Sequence, residues 1–157
     1  MKLRIHHFFD IIRDFGSGKE IKPHPFGHSY HAVAKLIRED ATIAFELIIE
    51  SDEICKGCSH LIDGVVCDDV VSHRLDFEGK EAFNNYLDNR IMEVCGIELS
   101  KKYSPILLCG LADKYLENIK FIYEGNDLEH TEARKKNVIL GLKYYSEKHG
   151  FLMSQNL

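Results

Sequence analysis

Three of the five cysteines stand close together, as Cys55-Lys-Gly-Cys58 followed by Cys67. Two cysteines separated by two residues, with a glycine before the second, suit a metal-binding turn: the glycine lets the backbone tighten so that both sulfurs reach one ion. A redox pair is the other use of this spacing, but it wants a thioredoxin-like strand and helix around it. Here an Asp63-Gly64 pair between Leu61-Ile62 and Val65-Val66 signals a tight hairpin instead. A two-residue turn there sets Ile62 against Val65, Leu61 against Val66 and His60 against Cys67. Directly opposed residues share a face, with Cβ atoms about 4.5–5.5 Å apart. Cys55, Cys58, Cys67 and His60 are therefore expected to converge. Three thiolates and an imidazole form a tetrahedral zinc set. Three thiolates also suit an iron–sulfur cluster that takes its fourth ligand from elsewhere.

The remaining candidates are less local. His6 and His7 fall off the apolar stripe of the first helical segment, near Asp10, and could ligate a metal or exchange protons; two solvated polar residues are the plainer expectation. His24, His28 and His31 surround a proline-containing loop and bind a metal only if they converge. These five histidines support an alternative, a metal-dependent hydrolase with an open position on its ion. Cys95 ends a helical segment and Cys109 sits among Ile106, Leu107 and Leu108, so both read as core thiols, with Cys95, at its helix end, the better of the two as a distant fourth ligand behind His60, His7 and His6. Asp68-Asp69 beside Cys67 could orient ligands, though solvated turn residues are the plainer expectation. Phosphate-loop, dinucleotide, serine-nucleophile and His-Glu-x-x-His signatures are missing from the sequence.

Taken together, Arg4-Ile-His6-His7, Asp52-Glu-Ile-Cys55-Lys-Gly-Cys58-Ser-His60-Leu61, Gly64 and Cys67 resemble a group of short bacterial and archaeal proteins described as putative iron–sulfur binding (domain of unknown function twelve eighty-four). The resemblance covers residues 3 to 70 in patches. It implies a metal–thiolate protein, a role for His6 or His7, and an iron–sulfur cluster slightly ahead of structural zinc. Relatives often carry further cysteines near the C-terminus, where this chain keeps only Cys95 and Cys109. The resemblance implies no reaction.

The elements that must position these residues are legible from periodicity. Ile5, Phe8, Phe9, Ile12 and Phe15 predict a helix stopped by Gly16 and Gly18. Ser29 caps a second helix, and Thr42 to Ile49 alternates like a strand, with a helical continuation as the rival. Helices follow over Glu81–Cys95, from Ser104-Pro105 to about Ile119, and from an Asp127 cap to His149. The expected fold is α+β: one helix-rich domain over 1–157 with a small antiparallel sheet or hairpin carrying the Cys-x-x-Cys turn.

Bulk properties limit the function classes. The chain has 157 residues, 45% hydrophobic and 29% charged, which is ordinary globular usage. A net charge of −5 with scattered lysines and arginines argues against nucleic acid as a partner. No segment reaches the roughly 20 apolar residues of a membrane helix. The N-terminus does not read as a signal peptide, so a cytoplasmic location with reduced thiols is expected. Five cysteines, an odd number, also fit a closed disulfide framework poorly. The sequence names no protein partner and leaves a homo-oligomer open.

Overall fold

In chain order, residues 1–99 and 101–152, which a computed structural model describes, form β1 (Lys2–Leu3), α1 (Ile5–Ser17), α2 (Tyr30–Glu39), β2 (Phe45–Leu47), β3 (Leu61–Ile62), β4 (Val66–Cys67), α3 (Lys80–Cys95), β5 (Lys102–Tyr103), α4 (Pro105–Cys109), α5 (Ala112–Glu117), α6 (Ile119–Ile122) and α7 (Leu128–His149). The arrangement is α+β and helix-rich. Its sheet is mixed rather than antiparallel: β1 pairs parallel with β2, and β2 antiparallel with β5. The two flanking strands are two residues long, too short to show an alternation in the sequence. The β3–β4 hairpin is a separate ladder. Among the described residues no helix is long and apolar enough to cross a membrane.

The N-terminal apolar stripe is buried as the periodicity predicts: Ile5, Phe8, Phe9, Ile12 and Phe15 all face the core. Each such burial contributes about 1.5–3 kcal/mol. Gly16 does not end α1; the left-handed stop is Gly18, at φ 67°. Gly16 instead lies where α7 crosses α1, with Gly141 of α7 beside it. A Cβ on Gly16 would sit 1.8 Å from the Asn137 carbonyl oxygen, and one on Gly141 would sit 1.8 Å from that of Ile12. Tyr145 then pins α7 to α2 by donating its hydroxyl to the Ile37 carbonyl at 2.6 Å.

The segment after Ser104 is three short helices rather than one, interrupted around Gly110 and at Asn118. Ser104 and Asp127 cap as expected, accepting from the amides of Leu107 and His130. Ser29 takes the cap position of α2 without accepting a capping bond; its hydroxyl donates to the Lys56 carbonyl, tying α2 to the cysteine turn. Cys95 and Cys109 are core residues, each 1% exposed.

An ion cluster also crosses the α1–α7 contact. Asp10 accepts from Arg13 of its own helix and from Arg134 of α7. Burial works to raise the Asp10 carboxyl, but Arg13 and Arg134 outweigh it and hold it below the ordinary carboxylate range. A depressed folded value means that the group stabilises above the unfolded pKa and loses that contribution as pH falls. Asp10→Asn is therefore expected to cost about 1–3 kcal/mol near neutrality and to flatten the acid limb of stability below about pH 4. Urea unfolding of both chains across that range measures it, and parallel acid limbs would refute the linkage.

Candidate functional site

Strand β1 delivers the chain to Arg4, which is 1% exposed and central to the site. Its guanidinium donates to three groups of α3: Asp88 at 2.7 Å, Glu81 at 3.0 Å and Asn85 at 2.5 Å. Its backbone amide donates to Asp52 at 2.8 Å. Burial works against the Arg4 charge, but Asp88 and Glu81 outweigh it and keep its pKa raised. Burying an unpaired ion costs several kcal/mol, and here the charges are compensated within the cluster.

Two buried carboxylates orient the paired histidines. Asp88 Oδ1 meets His6 Nδ1 at 2.8 Å and accepts the His6 amide at 2.9 Å. Asp52 Oδ2 meets His7 Nδ1 at 2.8 Å. A carboxylate only accepts, so each imidazole carries its proton on Nδ1 and keeps Nε2 for another partner. This is the usual second contact of a metal-bound histidine. The two environments diverge. Burial lowers the His6 pKa despite Asp88. For His7, burial also pulls down, but Asp52 and Asp10 outweigh it and the pKa is raised.

The same carboxylates hold the cysteine segments. Asp52 Oδ1 accepts the amides of Ile54 at 3.0 Å and Cys55 at 3.3 Å. Glu81, bound to Arg4, accepts the Cys67 amide at 3.3 Å. The Cys58 amide closes a turn on the Cys55 carbonyl at 3.0 Å, with Gly57 at φ 78°. Gly57 packs on Gly27 of the preceding loop, where an added Cβ would lie 2.7 Å from the Gly57 oxygen. Only glycines permit both the left-handed backbone and this approach. The three thiols are free. Burial, reinforced by Asp52, pushes Cys55 up to about 12. Burial also raises Cys67, against the opposing effects of the Asp69 amide and Lys80. A bound cation would reverse that balance and displace the thiol protons.

The hairpin register differs from the sequence expectation by one residue. The turn forms at Asp63-Gly64, both at positive φ, and the Val65 amide donates to the Ile62 carbonyl at 3.0 Å. Pairing then resumes one residue later, as Ile62↔Val66 and Leu61↔Cys67. His60 therefore faces Asp68, not Cys67; its Nδ1 lies 2.8 Å from Asp68 Oδ1 and its ring packs on Phe26. Asp69 pairs with Lys80 at 2.7 Å.

Cys55, Cys58, Cys67, His6, His7 and His28 line one cleft of about 820 Å³. His24 also lines it and stacks on His28, with ring centroids 4.3 Å apart, whereas His31 and His60 are not among its lining residues. Among the described residues no three His, Cys, Asp or Glu side chains stand in a ligating arrangement. The donors are thus gathered around one space without being closed on a point. Arg4, Asp52, Glu81 and Asp88 are the residues that sequence reasoning missed. The sequence offered one signal, Arg4 as a charge between Leu3 and Ile5; Asp52, Glu81 and Asp88 stand beside other polar residues, where a buried acid does not stand out. No family model, curated protein or solved structure matches this chain.

Proposed function

We propose that this chain is a metal-binding protein with a thiolate centre on Cys55, Cys58 and Cys67, and with His7 Nε2 as the fourth donor. The observation that carries this reading is the shared anchoring of the donors. Through Asp52, Glu81 and Arg4, the first helix, the cysteine turn and the hairpin are tied around one cleft. Three soft thiols and one carboxylate-oriented imidazole suit zinc or an iron–sulfur cluster. With His60 facing Asp68, the compact local zinc set loses its fourth member. That favours the cluster, whose fourth ligand lies outside the hairpin. A bound cluster supplies one-electron redox chemistry, and a redox or sensing role follows.

Anaerobic purification tests the proposal. The expected sample is brown and contains acid-labile sulfide; a colourless sample with zinc by mass spectrometry would select the other metal. Cys55→Ala and Cys67→Ala are expected to lose the metal, while His60→Ala and Cys109→Ala retain it. Full metal content in both cysteine variants would overturn the thiolate centre.

The His6–Asp88 and His7–Asp52 pairs in the same cleft favour a second reading, a metal-dependent hydrolase with its ion on the histidines. In that case metal content follows His6 and His7 and is indifferent to Cys67.

A further inference from the structure

The hairpin has two faces, and alternation along its strands separates them. Leu61 and Cys67 line the cleft. Ile62 and Val66, opposed across the ladder, point the other way and are 46% and 49% exposed, with Val65 in the turn at 56%. Ile62, Val65 and Val66 form a contiguous apolar patch on the back of a strand that carries a candidate ligand, and none of the three contributes to the core. Asp63 in the turn and Asp68 beyond Val66 are exposed at its margin.

Charge decides what can cover this patch. Residues 50–81 hold nine Asp and Glu against three Lys and Arg, a balance of −6, whereas the whole chain carries −5. The chain's entire net negative charge thus lies in the segment that carries the three cysteines. Around the patch itself, residues 57–73 hold three Asp and no Lys or Arg, with Asp63 and Asp68 exposed; a second copy would bring like charge against like charge, and an anionic membrane or a nucleic acid is repelled for the same reason.

We propose that the outer face of the β3–β4 hairpin docks a protein partner whose basic surface rings an apolar centre. The patch is small, so the encounter belongs to the transient class that buries less than about 1,200 Å². Electrostatic steering gives such contacts speed, and the apolar centre gives them register. The location rests on exposure and charge alone. Its purpose, exchange of an electron or a metal ion with the cleft behind Cys67, rests on the function proposed above.

The test uses the whole chain, metal-free and anaerobically purified, and cytochrome c as a lysine-rich probe. Amide chemical shifts are followed by NMR as the probe is added. The expected changes centre on residues 62–68, and affinity drops about tenfold when salt rises from about 10 mM to about 150 mM. Ile62→Ser with Val66→Ser leaves every charge in place and changes only exposed side chains; it is expected to weaken binding about tenfold. Shifts elsewhere, no binding, or equal affinity of the double variant would overturn the proposal. So would concentration-dependent dimerisation through the same amides, or their perturbation by phosphatidylserine vesicles, since another occupant would then cover the face. Because the metal-free chain is used, a failure to bind metal and a failure to dock are read separately.

Discussion

Gly141→Ala is expected to destabilise the protein by about 3 kcal/mol, although alanine is the better helix former by about 1 kcal/mol. The sign is set by packing. Gly141 lies inside α7, and the added methyl would arrive 1.8 Å from the Ile12 carbonyl oxygen and 3.1 Å from the Gly16 amide nitrogen. Those are backbone atoms of α1, so no side-chain rotation relieves the clash; the helices must separate. Separation would loosen the Asp10–Arg134 pair and the Tyr145–Ile37 bond that sit on the same contact. Urea denaturation of the two chains gives the difference. A neutral or stabilised variant would mean that the α1–α7 spacing is not set by these glycines.

Asp52→Ala is expected to cost about 3–5 kcal/mol, because it strips the acceptor from three donors at once and one of two acceptors from a fourth. The amides of Arg4 and Ile54 and the Nδ1 of His7 end on this buried carboxylate, and the Cys55 amide is shared between it and the Asp52 carbonyl. Asp52→Asn keeps the shape and isolates the charge. Without the carboxylate, His7 loses its strongest raising partner, and its pKa is expected to fall from its raised value. The ring-proton titration by NMR reads this directly. In the native chain, the raised His7 stabilises fully below its unfolded pKa and loses this contribution as pH rises through the folded value. Asp52, held below the ordinary range by His7 against the opposing effect of burial, stabilises above its unfolded pKa. The pair therefore contributes most between about pH 4 and pH 6.5. In metal-free Asp52→Asn the decline above that window should be shallower. An unchanged decline, together with an unmoved His7 titration, would show that Asp52 does not control the imidazole.

Much of the local structure was legible because its causes are local. The α1 stripe, the Ser104 and Asp127 caps and the left-handed Asp63-Gly64 turn each follow from neighbours within a few residues. The register of the hairpin was not. Two-residue strands with apolar side chains on both faces carry too little alternation to choose between pairings one residue apart. One extra residue after the turn therefore exchanged Asp68 for Cys67 opposite His60.

By itself, then, the sequence determined the α+β class, the helical cores, the turn chemistry and the thiol-rich segment. Each is decided by residue type and short spacing. The tertiary structure decided which of those groups share a space. Asp52 reaches Arg4 across 48 positions and Asp88 reaches it across 84, and no periodicity encodes contacts so distant. Folding alone brought these carboxylates to the histidines and cysteines. The reason is that a buried arginine and its buried acids must find one another, and in doing so they draw the first helix, the cysteine turn and α3 around a single cleft.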